Sequence, residues 1–140
     1  MIKVFISGGF DPFHEGHLDH LMAASKLGDL VIASVNCDND MIRKKGKCNL
    51  PLWFRMKTVE LWMRECKIEG AIIACIDTNG TQAKTIRLVK PDIFGNGGDR
   101  TTSNVVTSEE LACKEIGCKM VYGLNDPLNV KPNSSSSMVL

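Results

Sequence analysis

Neither sign of charge is in surplus here: 17 Lys and Arg face 16 Asp and Glu, a formal net charge of +1. A protein that coats nucleic acid needs a basic face, so no nucleic-acid partner is expected. Long apolar runs are missing too. No stretch approaches the roughly 20 residues of a membrane-spanning helix, so no membrane partner is expected. Residues 1–7 hold one Lys and a short β-branched run, which is not the layout of a secretory signal. Cys37, Cys48, Cys66, Cys75, Cys113 and Cys118 include no CxxC pair, and Cys75 lies inside an apolar run. A disulfide framework is not expected, and the thiols read as small buried hydrophobes. Together these absences predict a reduced, soluble, cytoplasmic protein.

What is present suits one domain over residues 1–140, with an irregular tail from about residue 125. A chain of this length buries roughly 68–70% of its unfolded surface, enough for a core without cross-links. Short β-branched or apolar runs at 3–7, 30–35, 71–76, 92–94 and 119–122 predict five strands. Helical periodicity or capping signals mark 15–27, 51–66, 81–89 and 107–116, the last opened by the capping-box spacing of Thr107 and Glu110. The polar, Lys-rich stretch 40–49 reads as a connection. Strands alternating with helices, and apolar on both faces, predict an α/β fold: a Rossmann-like, doubly wound parallel sheet of five strands.

In such a sheet ligands sit beyond the carboxyl ends of the strands. That places function in four polar segments: 8–17, 36–47, 95–100 and the Ser-rich tail. The densest is Gly8-Gly9-Phe10-Asp11-Pro12-Phe13-His14-Glu15-Gly16-His17. His14 and His17, three apart at a helix start, share a face and lie about 4.5 Å apart along the axis. The helix N-terminus adds unpaired N–H groups and partial positive charge, which favour anions. Gly8 and Gly9 allow close backbone approach, and Gly16 clears space between the imidazoles. This is a pocket for adjacent phosphates, neutral or cationic as needed. It is neither a GxGxxG fingerprint nor a Walker loop. Adding His20 makes a row at i, i+3 and i+6, but each step of three turns about 60° further round the helix, so no metal site is expected.

The run from Gly9 to His17 resembles the G-x-F-D-x-x-H-x-G-H signature of cytidylyltransferase-like nucleotidyltransferases. Val35-Asn36-Cys37-Asp38, Lys45-Gly46, Arg55, Gly97-Gly98-Asp99 and Ser134 to Ser137 follow in the family's order. The resemblance is closest to heptose 1-phosphate adenylyltransferase domains, with glycerol-3-phosphate cytidylyltransferases next. It implies transfer of a nucleoside monophosphate from ATP or CTP to a small phosphorylated sugar or polyol, with release of pyrophosphate. By that pattern His14, His17 and Lys45 are catalytic. Gly8, Gly9, Phe10, Gly16, Arg55, Asp99, Ser134, Ser135, Ser136 and Ser137 bind the nucleotide. Asp11, Asp38 and Lys44 contact the acceptor, and Mg2+ accompanies the triphosphate. Asn96 stands where the heptose enzymes usually carry Lys, and Arg100 can restore that charge.

A nucleotide-binding sensor without turnover is the alternative from another class, and the presence of both histidines favours the enzyme. A homodimer is expected, because Trp53, Phe54, Met56, Trp62 and Met63 are more large side chains than one buried helix face requires.

Overall fold

The computed structural model describes residues 1–97 and 106–124. Five strands, β1 (Lys3–Gly8), β2 (Leu30–Val35), β3 (Gly70–Ala74), β4 (Ile93–Gly95) and β5 (Lys119–Val121), form one parallel sheet in the order β3-β2-β1-β4-β5. The helices are α1 (Glu15–Ser25), α2 (Asp38–Lys45), α3 (Leu52–Glu65), α4 (Ala83–Val89) and α5 (Thr107–Ile116). Val4, Phe5 and Ile6 are all fully buried because both faces of β1 are covered, which is why that strand reads as an unbroken apolar run.

Side chains alternate across the sheet. Val4, Ile6, Val31 and Ala33 pack with Leu21 and Ala24 of α1 and with Val59 and Met63 of α3. Phe5 and Phe94 face the other way, edge to face at 5.3 Å, with Ile86 of α4 and Ala112 and Cys113 of α5. The strand order reverses between β1 and β4, and the crevice beyond that point is where the polar loops meet.

Two local expectations are corrected. The stretch read as a connection contains α2. Its apolar pattern is too sparse to show helical period, since only Met41 is buried apolar, at 1% exposure. Charge makes the helix instead: Asp38 and Asp40 lie in the first turn, Arg43, Lys44 and Lys45 in the last, and Gly46 closes it at φ +80°. The Thr107 capping box does not form. Val106 occupies the cap position without a side-chain bond, and Glu109 reaches across to α4, accepting from the Gln82 backbone N–H at 2.9 Å. All six cysteines are free thiols, with Cys75, Cys113 and Cys118 buried. Among the described residues no helix is long and apolar enough to cross a membrane.

Candidate functional site

At the start of α1 the two histidines cap the helix reciprocally. His14 is the N-cap residue, and its Nδ1 accepts from the Gly16 N–H at 3.1 Å. His17, at the third helical position, accepts at Nδ1 from the His14 N–H, also at 3.1 Å. This is the geometry of a capping box, made here by imidazoles in place of Ser and Glu. The rings stack with centroids 3.8 Å apart. Gly16, buried between them, carries one of the bonded N–H groups.

That arrangement decides the tautomers. An Nδ1 that accepts a hydrogen bond carries no proton, so in each neutral imidazole the proton is on Nε2. Both rings therefore offer an Nε2–H donor. Neutrality is enforced as well: burial, then the charges of His14, His20 and Lys45, push His17 down to about 3. Burial, and then Lys45, lower His14 too. The sequence allowed a cationic pair; the structure holds both rings uncharged. Positive potential at this spot comes from the α1 N-terminus and from Lys45, an exposed residue at the end of α2 that forms no ion pair among the described residues.

This has a consequence for pH dependence. Unfolded histidine takes up a proton near pH 6.5, whereas folded His17 resists it until about pH 3. Between those values the unfolded state binds more protons, so stability falls as the pH is lowered. Carboxylates with lowered values, such as Asp38 and Asp77, add their own loss only below about pH 5. The melting temperature should therefore fall between pH 6.5 and 5, and His17→Asn should flatten that interval. Equal slopes for wild type and variant in a pH-resolved thermal melt would refute the neutral assignment.

The rest of the motif braces this cap. Phe10 is buried at φ +53° and meets the His17 ring edge-on at 4.9 Å. Phe13 stacks on Trp62 of α3 at 5.8 Å. A Cβ added at Gly9 would lie 2.5 Å from Met41 Cε, so a larger residue there would force the end of the Met41 side chain to move. A Cβ added at Gly8 would lie 3.2 Å from the Phe10 Cζ, a tight contact.

Arg55 is placed differently from the reading that sends it to the nucleotide. It is fully buried, and its guanidinium serves the chain itself. Nε donates to the Leu50 carbonyl at 2.8 Å, and one terminal nitrogen donates to Gly9 O at 2.9 Å and Asn36 O at 2.7 Å. The other donates to the Asp38 carboxylate at 2.6 Å, which holds that acid below its ordinary range. Arg55 thus ties together the ends of β1 and β2, the start of α2 and the approach to α3. Asp11 accepts from the Asn49 and Leu50 N–H groups at 2.7 and 2.8 Å, fixing the same approach. Lys44 lies 3.9 Å from Asp40. Asp99 and Ser134 to Ser137 fall outside the described residues. The sequence reading named Asn36 only as part of the Val35–Asp38 run, with no role, and did not name Gln82; the signal of these two buried amides was polarity in positions that the strand and helix pattern buries.

Among the described residues no three His, Cys, Asp or Glu side chains gather as a metal cage. The N–H groups of His14, Gly16, His17 and Leu18, which the sequence left open to an anion, are taken up within the cap, so the arrangement offers two neutral imidazole N–H donors, the partial positive charge of the α1 N-terminus and one lysine.

The sequence pattern of the Cytidylyltransferase-like family matches residues 5–139. The chain is 35% identical over 106 residues to the bifunctional protein HldE of Helicobacter hepaticus, covering 76% of this chain and 21% of that protein. It is 30% identical to the same-named protein of Gluconobacter oxydans, covering 84% of this chain and 23% of that one. It thus spans about a fifth of the length of these relatives. A solved structure described as a lipopolysaccharide core biosynthesis protein from Thermoplasma volcanium superposes with a TM-score of 0.67 at 28% identity, over 87% of this chain and 95% of that one. With the signature histidines at the helix start and the match running through nearly all of the sequence, this chain belongs to the cytidylyltransferase-like family.

Proposed function

We propose that this chain is a nucleotidyltransferase that moves a nucleoside monophosphate from ATP to a small phosphorylated sugar or polyol, releasing pyrophosphate. The observation that carries the reading is the reciprocal His14–His17 cap, which aims two Nε2–H donors from the positive end of α1. In this reaction an oxygen of the acceptor phosphate attacks the α-phosphorus, and the bond to the pyrophosphate oxygen breaks. The acceptor is already an anion, so no general base is required, and positioning with electrostatic stabilisation suffices.

His14 and His17 stabilise charge growing on the α-phosphate and the leaving group, and Lys45 draws on the same oxygens. Lys44 and the Asp11 and Asp38 loops flank the acceptor. Asp99 contacts the nucleoside and Ser134 to Ser137 hold the outer phosphates, both by family resemblance. Mg2+ enters with the triphosphate, a mode that suits a protein with no carboxylate cage of its own among the described residues. Pyrophosphate release measured over ATP, CTP, heptose 1-phosphate and glycerol 3-phosphate tests the reading. Turnover with CTP preferred would replace ATP by the glycerol phosphate type of enzyme, and nucleotide binding without turnover would make the chain a sensor.

The active form is a homodimer in the cytoplasm. Of the side chains that raised this expectation, Met63 lies in the chain's own core and Met56 packs against it, whereas Trp53 (69% exposed), Phe54 and the outer face of Trp62, together with Leu61, leave apolar surface on α3 exposed. Light scattering should give twice the 15.4 kDa chain mass at micromolar concentration, and a monomer there would contradict it.

A further inference from the structure

On the α4 and α5 side of the sheet, opposite α1, a line of buried polar groups ends at an amide with one half unused. Ile32, Ser34 and Asn36 alternate onto that side of β2, and Ile32 packs in its core. Ser34 Oγ donates to Gln82 Oε1 at 2.7 Å, and Gln82 Nε2 donates to Asn36 Oδ1 at 2.8 Å. The Gln82 backbone N–H is held by the Glu109 carboxylate. Asn36 is itself anchored, donating from its backbone N–H to Gly8 O at 3.0 Å while its carbonyl accepts from Arg55. Its side-chain oxygen is therefore committed. Its Nδ2 meets no acceptor among the described residues, although Asn36 as a whole is 6% exposed.

With its oxygen committed and the rest of its side chain enclosed, this amide keeps one fixed N–H donor open to the crevice. It sits at the carboxyl end of β2, beside Gly8 and Gly9, where the sheet's ligand crevice opens. The chemistry of its partner follows from its surroundings. Ser34, Asn36 and Gln82 are uncharged, Glu109 is taken up by the Gln82 backbone N–H, and the Arg55 guanidinium beside the Asn36 carbonyl is paired with Asp38. With no unpaired cation on this side, the amide N–H suits a neutral oxygen better than a phosphate. The phosphates belong to the other face, at His14, His17 and Lys45.

We propose that Asn36 contacts a substrate, its Nδ2–H donating to a hydroxyl oxygen, and that Gln82 is the positioning residue that fixes this amide. The inference rests on the transferase reading, since it presumes a hydroxyl-bearing substrate in the crevice. The hydroxyl belongs either to the ribose of the triphosphate or to the phosphorylated acceptor, and the test separates them.

Asn36→Asp keeps an acceptor for Gln82 but replaces the free donor, and Asn36→Ala removes both without adding charge. Each should raise KM for one substrate by tenfold or more and leave KM for the other within twofold; Asn36→Ala also strands the buried Gln82 Nε2 and lowers the melting temperature, whereas Asn36→Asp keeps that bond. Gln82→Leu should raise the same KM by a smaller factor. If the ribose is the partner, 2′-deoxy- or 3′-deoxy-ATP should bind wild type more weakly than ATP, and Asn36→Ala should not distinguish them. Both KM values within twofold of wild type in the two Asn36 variants would overturn the inference while the transferase reading stands. So would both rising together with a fallen melting temperature. Wild-type protein that turns over no substrate pair would overturn the transferase reading. Calorimetric ATP binding then decides this one: weakening by tenfold in Asn36→Ala supports it, and equal affinity removes it.

Discussion

Replacing His17 by alanine should lower kcat by on the order of 100- to 1000-fold, with nucleotide affinity changed only a few-fold. The lost group is an Nε2–H donor whose orientation is set by the bond from the His14 N–H to its Nδ1. Its proposed partner is an oxygen that gains charge as the bond to pyrophosphate breaks. An interaction stronger in the transition state than in the bound complex shows in kcat rather than in KM. Judged from the sequence, His17 lies on a polar loop, and its loss costs less than about 1 kcal/mol of stability. The structure raises that figure, because His17 is half of a helix cap and touches Phe10 and Phe13. Loss of such a cap costs about 1 kcal/mol, up to 2. Single-turnover pyrophosphate release beside thermal melts separates the two effects. A fall in kcat below tenfold would remove His17 from the chemistry. His20→Ala is the control: His20 is buried and its loss should cost stability, with turnover per folded molecule nearly kept. Equal loss of turnover in both variants would favour a different role for the histidine row.

Arg55→Met should cost about 3–5 kcal/mol, a large part of the 5–15 kcal/mol typical of a domain. The side chain keeps its approximate length and loses its charge. The carbonyls of Gly9, Asn36 and Leu50 lose their donor together, and Asp38 loses its cation. Asp38 is 46% exposed at its side chain and is partly rescued by water, so the uncapped carbonyls carry most of the cost. Arg55→Lys should recover little, because one ammonium cannot span four acceptors spread over two strand ends, a loop and a helix. Denaturant unfolding measures this directly, and a variant within 1 kcal/mol of wild type would show that the cluster is dispensable. Activity should fall alongside, since Gly9 and Asn36 lie at the edge of the crevice.

The parallel α/β architecture was legible in residue order alone. Five apolar runs alternating with helical periods leave few other folds, and the runs are unbroken because helices cover both sheet faces. The placing of His14 and His17 together at a helix start was legible too, since the motif's glycines and histidines are contiguous and their spacing follows from 3.6 residues per turn. Helix α2 was not, because charges at its ends make it and apolar period does not. The protonation of the histidines also required the structure. Sequence places two imidazoles side by side, but only the backbone around them shows which nitrogen accepts and how far burial suppresses the charge. Arg55 teaches the same point at longer range. An arginine on an amphipathic helix has the same local signature whether it reaches a ligand or the protein's own carbonyls. That choice depends on where residues 46 and 19 positions away in the chain are brought, which folding alone decides.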